Sequence, residues 1–211
     1  MAQEVIRQAL SLVTPASAPL YEPQDLAQVM RISNKEELLI LEGYIASAVN
    51  WVEIATGRAL LTQTWDLSFD DRFPYQRHEH FFCRHEILIP KPPLQSVTWV
   101  KYVDVYGDTQ TLTAGTDYEV NQHRSPGVVR SISGWPITDR VYRAVQIRFV
   151  CGYGASSTNI EPAILQAIRL LVADAYENRQ SVAMISGGPL IAPAVSKAVD
   201  ALLTPYKVWV V

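Results

Sequence analysis

Three of the four histidines and one of the two cysteines fall between His78 and His85, in the run Arg77-His78-Glu79-His80-Phe81-Phe82-Cys83-Arg84-His85-Glu86. Imidazole nitrogen and thiolate sulfur are the ligands zinc takes, so the first chemistry to weigh is a metal centre. On a strand, however, His78 and His80 point to one face and Cys83 and His85 to the other, so a bulge is needed to converge them. The metalloprotease pattern His-Glu-x-x-His is absent, because Phe82 and Ile89 stand three residues after Glu79 and Glu86. The spacing therefore favours a polar hairpin tip. A metal-dependent enzyme using His78, His80, Cys83 and His85 is the alternative.

Other candidates for chemistry are weaker. Gly152-Tyr153-Gly154 falls between an apolar alternating run and a helical pattern, where phosphate loops occur. It lacks the third glycine of a dinucleotide fingerprint and any following Gly-Lys-Ser/Thr, so a turn needing positive φ is the simpler reading. Asp70 and Asp71 are adjacent, and neighbouring side chains on a strand diverge, which suits a turn better than a shared acid/base pair. No Gly-x-Ser-x-Gly elbow occurs. No catalytic residue, metal ligand or cofactor is assigned on these grounds.

The C-terminus has a different character. Tyr206-Lys207-Val208-Trp209-Val210-Val211 is apolar and β-prone, where free chain ends are usually polar. It either returns to its own subunit as a strand or adds to a neighbour or partner, and the reach of a glycine-containing linker over 180–193 favours the second.

The elements that position these residues are set by Asn34–Trp65. Leu38, Leu41, Ile45, Val49, Val52 and Ala55 recur at helical spacing, with Glu36, Glu37, Glu42 and Glu53 mostly off that stripe. Asn34 is the expected N-cap and Gly57 the left-handed stop, with Arg58 placed to meet the last carbonyls. The period then changes to two, as Trp65, Leu67 and Phe69 alternate with Asp66, Ser68 and Asp70. Upstream, the pattern predicts short helices over Val5–Val13 and Pro23–Arg31. Downstream it predicts strands around Val97–Val105, Thr109–Leu112, Tyr118–Asn121, Val128–Ile132 and Val145–Cys151, with turns at Gly107, Gly115 and Pro126-Gly127. Helices follow over Pro162–Arg179 and Ala194–Leu203. The expected class is α+β: a helical bundle formed by both ends of the chain (1–60 and 152–211), with an inserted antiparallel β domain (61–151), a small sandwich or barrel.

Charge and composition narrow the function. With 18 basic and 21 acidic residues, the net charge of −3 argues against a general nucleic-acid binder. Residues 61–151 carry ten of each sign, so the β block is neutral. Two cysteines make no disulfide framework and point to a reducing compartment, so the chain is expected to be made in the cytoplasm. The N-terminal apolar run is too short for a signal sequence, and no membrane span is expected.

Thr56-Gly57-Arg58-Ala59-Leu60-Leu61-Thr62-Gln63-Thr64-Trp65 resembles the helix-to-strand junction of the head–tail connector (adaptor, or head-completion) proteins of tailed bacteriophages. The likeness continues in order through Ile89-Pro90-Lys91-Pro92-Pro93-Leu94-Gln95-Ser96-Val97, Gly115-Thr116-Asp117-Tyr118, Trp135-Pro136 and Gly152-Tyr153-Gly154. It then runs on to Pro162-Ala163-Ile164 and Ala201-Leu202-Leu203-Thr204-Pro205-Tyr206. The histidine-rich tip and the first twenty residues fall outside it. The resemblance implies a structural virion protein at the head–tail interface, not an enzyme. It implies a ring of about twelve copies beneath the portal, which extends the DNA channel used in packaging and ejection and seats the next head-completion (stopper) or tail protein. DNA would pass without sequence-specific contacts, and no membrane is involved. On this reading Tyr206, Val208, Trp209, Val210 and Val211 contact the portal or a neighbouring subunit, while the turns at His80 and Gly107 face the downstream partner. A packaging accessory that binds nucleic acid is a further alternative.

Overall fold

The computed structural model describes residues 7–32, 34, 37–74, 85–178 and 193–208. The chain folds as two compact units, one holding the strands and the other, Ala16–Leu61 with Tyr153–Val211, holding the helices.

The strand unit begins at the N-terminal side of the chain. Strand β1 (Gln8–Thr14) pairs antiparallel with β2 (Gln63–Phe69), which corrects the short helix expected over Val5–Val13. So short a run ahead of Pro15 makes too few turns to hold a helix, whereas β2 offers a whole row of backbone partners. Next come β3 (Glu86–Ile89), β4 (Leu94–Val103), β5 (Thr109–Leu112), β6 (Tyr118–Asn121), β7 (Gly127–Ser131) and β8 (Val145–Cys151). One sheet has the order β1-β2-β8-β4-β5 and the other β3-β7-β6, all antiparallel. Neither closes on itself. The barrel form of the expectation is therefore corrected: β1 and β5 end the larger sheet at opposite edges, and three strands are too few to curl shut. Alternation decides which face is core. Val145, Ile147, Phe149 and Cys151 of β8 are buried, and Leu67, Val100 and Ile87 join them in the unit's apolar interior.

The helical unit is built from α1 (Pro23–Val29), α2 (Glu37–Thr56), α3 (Pro162–Glu177) and α4 (Pro193–Leu203). Leu41, Ile45, Ala48 and Val52 of α2 share one hydrophobic cluster with Leu26 of α1, Ile164, Ile168 and Val172 of α3, and Val199 and Leu203 of α4. The α2 stripe read from the sequence is thus the one that packs, with Leu38 and Val49 at its margin. Gly57 ends α2 at φ +70°, a conformation that suits glycine. Two of the carboxylates off the stripe have definite partners. Glu53 Oε1 accepts the Leu60 N–H at 2.8 Å, bracing the exit from α2, and Glu37 accepts a hydrogen bond from the Tyr176 hydroxyl.

Candidate interaction surfaces

The described part of the C-terminal segment is held by its own helical unit. After α4 a 3-10 turn spans Thr204–Tyr206. The Tyr206 carbonyl accepts from Arg58 Nε at 2.6 Å, and the Val208 N–H donates to the Thr56 carbonyl at 2.9 Å. Arg58 therefore serves the C-terminal segment rather than the last carbonyls of α2, and the Thr56 carbonyl at that helix end is met by Val208. Both choices follow from geometry. Gly57 turns the chain sharply at a positive φ that favours glycine, and Val208 packs within van der Waals distance of that turn. Burial is the main cause pushing the nearby Tyr153 phenol above its ordinary pKa, and the Arg58 charge partly offsets it. Tyr206 and Val208 are half-buried, while Trp209, Val210 and Val211 lie outside the described residues.

The Gly107 turn projects from the β4–β5 hairpin at φ +88°. Asp104 organises it. Its Oδ1 accepts the N–H groups of Tyr106 at 2.9 Å and Asp108 at 3.0 Å, and its Oδ2 accepts from Gln110 Nε2 at 2.8 Å. The Gln110 bond above all, with backbone N–H groups behind it, holds the Asp104 carboxyl below the usual carboxylate range. Two side chains stand out on this braced turn: Tyr106, 89% exposed, and Val105, 56% exposed, which lies beyond the strand expected to include it because β4 stops at Val103. An aromatic ring displayed on a rigid turn is the kind of group that anchors a protein contact.

Of the histidine cluster, His78, His80 and Cys83 lie outside the described residues, as does most of the 180–193 linker. Among the described residues no group of three or more His, Cys, Asp or Glu is placed to hold a metal ion. His85 is described: its carbonyl accepts the Ser131 N–H at 3.0 Å, and its side chain lines an open basin of about 440 Å³. Phe73 and Trp135 stack in that basin with ring centroids 4.5 Å apart, and Arg72 and Arg140 stand at its margin. Trp135 Nε1 is the one buried side-chain polar atom without a partner among the described residues. Gly152 and Gly154 both have positive φ, as a turn requires.

Two apolar surfaces were not read from the sequence as contact sites. Every residue of β1 is exposed, Leu10, Leu12 and Val13 included, and its outer edge is unpaired among the described residues. A bare edge strand without charge or proline is a template for another strand. The second surface is the outward face of α2. By length and composition alone α2 is apolar enough to cross a membrane, a test that the core helix of a soluble protein also passes. The signal lay in the low charge of the face opposite the packing stripe.

No protein-family model and no curated protein matches this chain. Among solved structures it is similar to a chain in the neck of an empty gene transfer agent (GTA) particle computed with C6 symmetry. The TM-score is 0.73 at 20% identity, over 96% of this chain and 97% of that one. A chain in the neck of the native GTA particle, computed with C12 symmetry, matches with TM-score 0.69 at 20% identity, over 96% of this chain and 97% of that one. One in the virion of the native particle matches with TM-score 0.69 at 20% identity, over 96% of each chain. The α+β fold described above is thus shared from end to end with chains of GTA particles.

Proposed function

We propose that this chain is a structural protein of the neck of a phage-like particle, an adaptor that forms a ring beneath the portal. The observation that carries the reading is the end-to-end likeness of fold to chains of GTA necks, over 96% of this chain. The C6 and C12 symmetries of those necks support a cyclic assembly, which needs head-to-tail interfaces. In that reading the four helices form the ring's bundle, and the strand unit with its Tyr106 turn faces the next head-completion or tail protein.

Charge supports a conduit rather than a DNA grip. Around a ring of about twelve subunits each lysine facing the channel is repeated about twelve times, and every phosphate contact strengthens attachment through counterion release. A chain of net charge −3 avoids that trap. The function is assembly, not catalysis, and the protein's place is in the virion.

The portal contact is assigned to the C-terminal end. Because Tyr206 and Val208 are hydrogen-bonded to Arg58 and Thr56, removing them would disturb the helical unit itself. A truncation after Val208 is the cleaner test. Mixed with its portal and viewed by negative stain, the wild-type protein should add a ring at the portal's outer end, and the truncated protein should not. Failure of the wild type to add any density would overturn the adaptor reading. An intact ring from the truncated protein would move the portal contact elsewhere on the chain.

A further inference from the structure

Surface helices of soluble proteins carry charge on the side facing water. Helix α2 departs from that rule. Eight of its residues are exposed, and Glu42 is the single charged one among them. Leu39 is 77% exposed, Ile40 46% and Ile54 69%. Leu39, Gly43, Ala46, Asn50 and Ile54 follow at helical spacing and make one stripe opposite the packed face, roughly 22 Å long at 1.5 Å per residue. Only Leu41, Ile45, Ala48, Val52 and Thr56 of the helix are buried. Nothing lies within 4 Å of a Cβ built on Gly43, so the middle of the stripe is a shallow dip between bulky ends.

The helical unit also offers a counterpart. Helix α3 packs against both α2 and α4, which scarcely touch each other, so α2 and α4 form its two flanks. The outward side of α4 shows Lys197, Ala198, Asp200 and Ala201, and the Asp200 carboxylate is already paired with Lys207 of the same unit at 3.4 Å, which leaves Lys197 as the charge the flank offers a neighbour. Small alanines leave hollows for the side chains that stand proud on α2, and Lys197 is opposite in sign to Glu42. Two unlike, complementary flanks on one unit are what a head-to-tail interface requires.

We propose that the outward face of α2 docks on the α4 flank of a second copy of this chain, joining helical units head to tail. The assignment rests on the ring reading above and supplies its subunit contact. The lipid alternative is disfavoured because Leu41, Ile45, Ala48 and Val52 are committed to the protein core, so a bilayer could take only one face.

The test uses full-length protein with its portal. Leu39→Glu combined with Ile54→Lys changes only exposed positions, so the circular dichroism spectrum should match wild type while rings disappear and single copies still bind portal. Glu42→Lys or Lys197→Glu alone should raise the concentration needed for ring formation by roughly tenfold, and the two together should restore it. Rings formed normally by the Leu39/Ile54 variant would overturn the proposal and leave the adaptor reading standing. Failure of the paired charge reversal to restore assembly would overturn α4 as the counterface. A wild type that never forms a ring on portal would remove the adaptor reading and this contact with it. Flotation with phosphatidylcholine–phosphatidylglycerol vesicles that is lost in the Leu39/Ile54 variant would assign the face to lipid and overturn the proposal.

Discussion

Arg148 donates two parallel hydrogen bonds to Asp66, Nε to Oδ1 and Nη2 to Oδ2, each 2.8 Å long, from the position directly opposite on the neighbouring strand. Asp66 is only 7% exposed, and the same guanidinium lies 5.0 Å from the centre of the Trp99 ring, which Lys101 also covers. The pair thus ties β2 to β8 and β4 on the polar face of the larger sheet. The Asp66 carboxylate, chiefly through its hydrogen bonds, raises the Arg148 pKa further. Lysine cannot reproduce the planar fork. Arg148→Lys should therefore lower the melting temperature by a few degrees, and Asp66→Asn should do the same. The double variant should lose less than the sum of the two, as a cycle of thermal melts would show. Additive losses would mean the pair contributes nothing as a pair.

Gly127 pairs with Ile89 at the end of β7, and its missing side chain is filled by Leu94. A Cβ placed there would sit 2.6 Å from Leu94 Cδ2 and 2.7 Å from Leu94 Cβ, and Leu94 is itself buried. Gly127→Ala should destabilise the strand unit by about 1–3 kcal/mol through overpacking. Removing the neighbour's Cβ as well, Leu94→Gly, should cost less in the Gly127→Ala background than in the wild type. Urea unfolding of the three variants decides it, and an unaffected Gly127→Ala midpoint would refute the close approach.

Much of this architecture was legible because pattern and packing agree. The α2 stripe, the Gly57 stop, the alternation of β8 and the turn at Gly107 are local signals that tertiary contacts reinforce. β1 was misread because Gln8–Thr14 has no partner of its own. Its strand state comes from β2, more than fifty residues later in the chain. Arg58 was misread for a related reason: proximity in sequence pointed it at the end of α2, whereas Tyr206, 148 residues away, supplies the acceptor. The outward face of α2 is harder to read because periodicity alone marks the side that packs and does not say whether the opposite side is covered. Its lack of charge is visible in the sequence, but only the structure shows which side remains uncovered.

The Arg58 contact makes a prediction about the end of the chain. Arg58→Ala removes the donor to the Tyr206 carbonyl and leaves the Val208–Thr56 hydrogen bond as the remaining backbone tie. The Val208 amide should then exchange with solvent at least about tenfold faster, corresponding to roughly 1.4 kcal/mol of lost local protection. Amides in the middle of α3 should be unaffected. Hydrogen exchange followed by mass spectrometry of the C-terminal peptide reads this directly. Unchanged exchange there would show that Arg58 does not hold the segment.

Ionisation of Tyr118 should weaken the strand unit at high pH. It is 2% exposed, and burial alone pushes its phenol above the ordinary tyrosine value. In the unfolded chain the phenol ionises near pH 10, about the usual value, whereas in the folded chain it stays protonated to higher pH. The native state therefore binds more protons than the unfolded state in that window, and the stability of the fold falls as pH rises. The contribution is fully present below about pH 10 and is lost from there upward, as pH climbs through the folded pKa. Tyr118→Phe removes the ionisable group while keeping the ring. Its unfolding free energy, measured by urea at a series of pH values, should decline less steeply above pH 10 than that of the wild type. Tyr21 and Tyr153, both raised chiefly by burial, should add slope in the same direction. Identical slopes for wild type and Tyr118→Phe would show that the buried phenol does not limit stability at high pH.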